Sequence, residues 1–128
     1  MILIDTSAWV EFLRDTGSDA CRRVDEQLAE GFVTCDPIRM EVLAGARGER
    51  HLRDLRGLLG RGASVPVGST HYDDAALLYR ICRREGETVR RLIDCLIAAA
   101  AIDAGVPVLH CDSDFDVLAR HTPLQVSG

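Results

Sequence analysis

Four carboxylates in this chain occupy places where a folded domain ordinarily puts something apolar or small. Asp5 follows the run Met1-Ile2-Leu3-Ile4, Glu41 lies inside Met40-Glu41-Val42-Leu43-Ala44, Asp94 inside Leu92-Ile93-Asp94-Cys95-Leu96-Ile97, and Asp112 just after Val108-Leu109-His110-Cys111. A carboxylate is almost never fully buried without a partner, and converging carboxylates repel one another unless a cation or protons neutralise them. The chain must therefore fold so that these acids meet something positive. The economical solution is a divalent-metal site, which points to an enzyme.

The segments around the acids alternate between strand and helix. Met1 to Asp5 is a short continuous apolar run, the pattern of a buried parallel strand. Thr6 or Ser7 is placed to cap a helix reaching Leu13, and Asp19 to Glu30 repeats Cys21, Val24 and Leu28 at helical spacing before Gly31. Phe32 to Cys35 reads as a second strand, and Asp36-Pro37 opens a helix with Asp as cap and Pro at its first position. A leucine-rich helix ends at Gly60, and Ala63 to Val67 is a weak strand. Thr70, supported by Asp73, starts a long helix to about Glu85. Gly86 breaks that helix, Thr88 starts another that runs to Ala104, and Val106 to Cys111 is again a buried strand. Ser113 to Ala119 reads as a short helix and Thr122 to Val126 as an edge strand.

This order calls for a mostly parallel sheet of four or five strands with helices on both faces. Asp5 and Asp112 then lie at the carboxyl ends of their strands, the edge where open α/β sheets bind ligands. Glu41 falls one turn into a helix that follows a strand, and Asp94 in the second turn of the helix begun at Thr88. Asp114 stands two residues beyond Asp112 as a fifth candidate, with capping of the helix at Phe115 as its alternative role. Ser7 is a helix cap or a member of the site.

A length of 128 residues fits a single domain, residues 1–128, with one core. No apolar run approaches the roughly 18 residues that cross a bilayer, and the first apolar segment lacks the basic flank of a signal peptide. The 5 cysteines show no C-x-x-C spacing and read as reduced core residues, which suits a cytoplasmic protein. A net charge of −5 argues against nucleic-acid binding unless bound cations offset the clustered acids. All 15 basic residues are Arg. With no Lys, the phosphorylation switch of a receiver domain and the chemistry of a haloacid-dehalogenase-like phosphatase are both excluded.

An oxygen-only ligand set selects Mg²⁺, with Mn²⁺ as a plausible substitute, over Zn²⁺. His51, His71, His110 and His121 are scattered without ligand spacing. Metal-activated water would then hydrolyse a phosphodiester without a covalent intermediate.

At this point the chain resembles a known family. Ile4-Asp5-Thr6-Ser7, Met40 to Gly45, Leu92 to Ala99 and His110-Cys111-Asp112-Ser113-Asp114-Phe115 together are similar to the motifs of PIN-domain nucleases, and more narrowly to VapC toxins of type II toxin–antitoxin pairs. The resemblance spans nearly the whole chain. It implies a three-layer α/β/α PIN-like domain and a Mg²⁺-dependent endoribonuclease that leaves a 5′-phosphate and a 3′-hydroxyl. It also implies a homodimer and a VapB-like antitoxin whose C-terminal segment docks near the site. Asp5, Glu41, Asp94 and Asp112 match the acidic quartet, with Asp5 and Asp94 as direct metal ligands. Asp112 and Asp114 share the last position, and Ser7 matches a supporting hydroxyl. The rival expectation is a non-catalytic PIN-like module that binds RNA or protein.

The Arg80, Arg83, Arg84, Arg90 and Arg91 cluster precedes Asp94, and Arg84, Arg90 and Arg91 are its candidates for holding an RNA backbone. The alternative is a solvated helix end. Trp9, Phe12 and Leu13, with the Leu52 to Leu59 helix, are either core or an apolar surface for the antitoxin.

Overall fold

A computed structural model describes residues 1–127. Its described residues form β1 (Leu3–Ile4), α1 (Thr6–Leu13), α2 (Asp19–Glu30), β2 (Val33–Thr34), α3 (Asp36–Ala44), α4 (Glu49–Leu59), β3 (Ala63–Ser64), α5 (Ser69–Arg84), α6 (Leu92–Ala104), β4 (Val108–Leu109), α7 (Ser113–His121) and β5 (Val126–Ser127). The strands make one sheet in the order β3-β2-β1-β4-β5, and every pairing is parallel. With helices on both faces this is a three-layer α/β/α fold. Where a mostly parallel sheet was expected, the described sheet is wholly parallel.

The strands β1 and β4 are apolar on both sides, and Leu3, Ile4, Val108 and Leu109 are all buried. Ala63 and Ser64, on the β3 edge, are exposed. From β1 the chain winds outward through β2 to β3, then returns to place β4 on the other side of β1. That reversal leaves a crevice beyond the carboxyl ends of β1 and β4.

Helix α6 is buried from Asp94 to Ala101 and ends at Gly105, whose left-handed φ of 69° stops it. The run of alanines lets α6 lie close against its neighbours. Trp9, Phe32 and Phe12 pack together in the core, with the Trp9 and Phe32 rings edge-to-face at 5.4 Å between centroids. A Cβ on Gly62 would stand 2.3 Å from Phe32 Cε2. Gly62→Ala is therefore expected to displace Phe32 and cost about 1–3 kcal/mol, read as a lower urea midpoint at unchanged m-value.

Helix starts differ from the sequence reading. Asp5, not Thr6 or Ser7, caps α1, its carboxylate accepting the Ser7 N–H. Cys35 takes the cap position of α3, which puts Asp36 first inside the helix and Pro37 second. Helix α5 starts at Ser69, and the His71 ring, not Asp73, accepts the Gly68 N–H at 2.9 Å.

The largest difference is at Thr88, where no helix begins. Residues 87–91 form an irregular connection held at three points. Glu87 pairs with Arg120 and His121, Val89 is buried, and the Arg90 and Arg91 N–H groups bond to the Asp114 carboxylate. Both donors go to a residue more than 20 positions away, and α6 begins at Leu92 with Arg91 in its cap position. Asp94 thereby lies in the first helical turn, not the second.

Candidate metal centre

The crevice between β1 and β4 collects all of the singled-out acids. Asp5, as the cap of α1, is 3% exposed. Its Oδ2 accepts the Ser7 N–H at 2.9 Å and the Ser7 hydroxyl at 2.6 Å, while Oδ1 is buried without a donor among the described residues. The Ser7 Oγ in turn accepts the Cys111 N–H at 2.8 Å, so one hydroxyl ties the ends of β1 and β4 together. Asp94 is 2% exposed, and its Oδ2 is likewise buried without a donor.

Asp112 caps α7, its Oδ1 accepting the Asp114 N–H at 2.9 Å. Asp114 is itself buried, its oxygens accepting the Arg90 N–H at 3.1 Å and the Arg91 N–H at 3.2 Å. Carboxylate oxygens of Asp94, Asp112 and Asp114 lie within 4.8 Å of one another. Glu41 reaches in from α3, held by the Thr6 hydroxyl at 2.8 Å and by the Arg91 guanidinium. The sequence reading did not place Thr6 here. Its signal was its position directly after Asp5, which it shares with every helix-start threonine.

Electrostatics follow from this crowding. Burial pushes the Asp94 carboxyl up to about 8. A proton shared with Asp114 and the charge of Asp5 act in the same direction, and Arg91 opposes them. Burial would raise Asp114 as well, but the Arg90 N–H, the Asp94 proton and the Arg90 guanidinium outweigh it and hold that carboxyl below its ordinary value. Asp5 is raised, again by burial first, against the hydrogen bonds from Ser7. At neutral pH the protein alone thus offsets its acids in part, with a proton on Asp94 and with two arginines.

The chain matches the PIN domain model over residues 2–121. The chain belongs to the PIN-domain family. Within that family it stands with the VapC ribonucleases. It is 47% identical over 132 residues to VapC ribonuclease Mb1587 of Mycobacterium bovis, covering 100% of this chain and 98% of the relative. The figures are the same for ribonuclease VapC11 of Mycobacterium tuberculosis. The solved structure of VapBC-1 from nontypeable Haemophilus influenzae shares the fold at a TM-score of 0.74, with 16% identity and coverage of 99% of this chain and 97% of that one.

The donor set of this PIN domain fits a hard divalent cation. Two buried carboxylate oxygens, on Asp5 and Asp94, lack any donor among the described residues, and the clustered groups offer oxygen alone. None of the imidazoles joins the cluster, although His110 Nδ1 accepts the Asp112 N–H at 3.2 Å. His71 pairs with Asp103, His110 with Asp116 and His121 with Glu87, and His51 accepts the Arg47 N–H.

The five-arginine cluster read from the sequence does not stay together. Arg83 lies over the Tyr79 ring, and Arg84 is exposed at the end of α5 without joining the acids. Arg90 and Arg91 instead turn into the site, Arg90 to Asp112 at 2.7 Å and to Asp114 at 3.2 Å, Arg91 to Glu41. Of the apolar residues considered for a partner surface, Trp9, Leu55 and Leu59 are core, and Leu13 is exposed.

Proposed function

We propose that this PIN domain, residues 1–128, is a Mg²⁺-dependent endoribonuclease, the toxin of a VapBC-type pair acting in the cytoplasm. The observation that carries this reading is the pair of buried, donorless oxygens on Asp5 and Asp94 among converging acids. Natural folds satisfy nearly all buried polar groups, so such orphans call for a partner. The family relatives named as VapC ribonucleases support RNA as the substrate.

In this reading Asp5 and Asp94 hold the ion directly, and Asp114, Asp112 and Glu41 complete its surroundings directly or through water. When bound, a divalent ion supplies a water of lowered pKa and neutralises charge on the leaving oxygen. The protein's own work is positional. Ser7 fixes the Asp5 carboxylate, leaving Oδ1 free, and Thr6 does the same for one Glu41 oxygen. Asp114 aligns residues 90 and 91 beside the centre. Hydrolysis would leave a 5′-phosphate and a 3′-hydroxyl.

A VapB-like antitoxin and a homodimer belong to the same proposal. Met40, Tyr72 and Leu92 are exposed apolar residues along a groove of about 630 Å³ between α3, α5 and α6, a surface suited to a protein partner. Among the described residues no helix is long and apolar enough to cross a membrane.

The test is cleavage of total cellular RNA by purified protein with Mg²⁺ or Mn²⁺, against EDTA and against Asp5→Asn. Discrete cuts that vanish in both controls, with 5′-phosphate ends, are expected. RNA or protein binding without cleavage under any divalent ion would favour the non-catalytic module.

A further inference from the structure

Arg90 and Arg91 hold a position that substrate binding alone does not account for. Their backbone N–H groups are fixed on Asp114, whereas their guanidinium groups reach Asp112, Asp114 and Glu41. Apart from the buried Asp114, whose Oδ1 Arg90 touches, these are the rim acids. Side chains of Asp112 and Glu41 are 14% and 17% exposed, and among the described residues no guanidinium bonds to Asp5 or Asp94. The arginine side chains are themselves 65% and 48% exposed, so each lies between the acids and solvent on a flexible stem.

We propose that Arg90 and Arg91 are built-in counter-cations of the acidic centre, which compete with the divalent ion for its carboxylates and, once displaced by it, grip the RNA backbone. The inference rests on the nuclease reading above. Two guanidinium groups against five carboxyl groups, one of them protonated, leave the centre anionic, so a divalent ion is still attracted. Half-exposed ion pairs are weakly held, so the ion displaces them readily. The released groups stay where they are needed, because their backbone anchors on Asp114 do not depend on the side chains. A guanidinium freed at the mouth of the site is a bidentate phosphate ligand. Metal and RNA then favour one another, since each removes what the other competes with.

The experiment is calorimetric titration of Mn²⁺ into wild type, the double variant Arg90→Gln/Arg91→Gln, and Arg90→Lys/Arg91→Lys. It is joined to melting curves in EDTA and to RNA cleavage across a salt series. The Gln variant is expected to bind Mn²⁺ roughly three- to tenfold more tightly, because its competitor is gone. Its melting temperature should fall below wild type in EDTA at pH 8 and rejoin it at saturating Mn²⁺. The Lys variant keeps the charge and should bind Mn²⁺ within about twofold of wild type. Because the Gln variant has two fewer cations to set against phosphates, its log–log salt slope of KM should fall by about 1.4.

Equal or weaker Mn²⁺ binding by the Gln variant would overturn the competition and make the arginines plain supports of the acids. Tighter Mn²⁺ binding with an unchanged salt slope would overturn the grip on RNA. A wild type that binds no Mn²⁺ would overturn this inference and the metal reading together.

Discussion

Asp94→Asn is expected to reduce metal-dependent RNA cleavage by about 10³-fold or more, while making the metal-free protein more stable than wild type at pH 8. The loss follows from removing a buried anionic oxygen that no other group replaces, at a centre whose ion stabilises the reacting charges by several kcal/mol. The gain follows from the same burial. Asp94 is surrounded by Asp5, Asp112 and Asp114, and ionising it in a low-dielectric site costs free energy that Arg91 offsets only in part. Asn keeps the shape and carries no charge. Parallel cleavage assays and EDTA melts decide the matter. A variant that is both inactive and less stable than wild type at pH 8 would show that Asp94 serves packing and not the centre.

The second large effect is a pH dependence of the metal-free protein. Asp94 rises from an ordinary value of 3.8 to about 8 in the folded chain, so between those values the native state holds a proton that the unfolded state has released. Stability of this origin is fully present below about pH 4 and is lost as pH rises through about 8. Asp5, also raised, acts in the same direction. Asp114 and Glu87 are lowered, and their contributions disappear only on acidification below the ordinary carboxyl range, outside this window. In EDTA the melting temperature should therefore fall between pH 5 and pH 8.5, by roughly 3–5 °C for each 1 kcal/mol lost. Saturating Mn²⁺ should flatten the profile, because the ion replaces the proton, and Asp94→Asn should flatten it without metal. A flat wild-type profile in EDTA would mean that the acids repel one another far less than their packing implies.

Much of this was legible from residue order. A short apolar run closed by an acid locates a strand and the functional end of it, so the sheet and the meeting of Asp5 with Asp112 follow from local pattern. Asp94, flanked by Ile93, Leu96 and Ile97, announces its own burial. What escaped depends on partners distant in the chain. Asp114 takes the N–H groups of Arg90 and Arg91 just ahead of α6, and no periodicity within residues 88–104 records that. Arg90 and Arg91 read as a basic patch beside the acids because their pairing with Glu41, Asp112 and Asp114 is tertiary. The choice between Asp112 and Asp114 was open for a related reason. An Asp ahead of a helix is a cap or a ligand by sequence, and here Asp112 caps while also facing the cluster, with Asp114 buried beside it.

The central place of β1, the strand nearest the N-terminus, has a consequence for how this molecule is made. Its neighbours are β2 on one side and β4 on the other. A growing chain can dock β1 on β2 early, but β1 keeps one open flank until residues 108 and 109 have been synthesised. Ser7 finds the Cys111 N–H, and Arg90 and Arg91 find Asp114, only after that. Translation must therefore pass residue 114 before any acidic centre exists. A nuclease assembled in this order has no cutting site while most of its own length is still being read from the messenger.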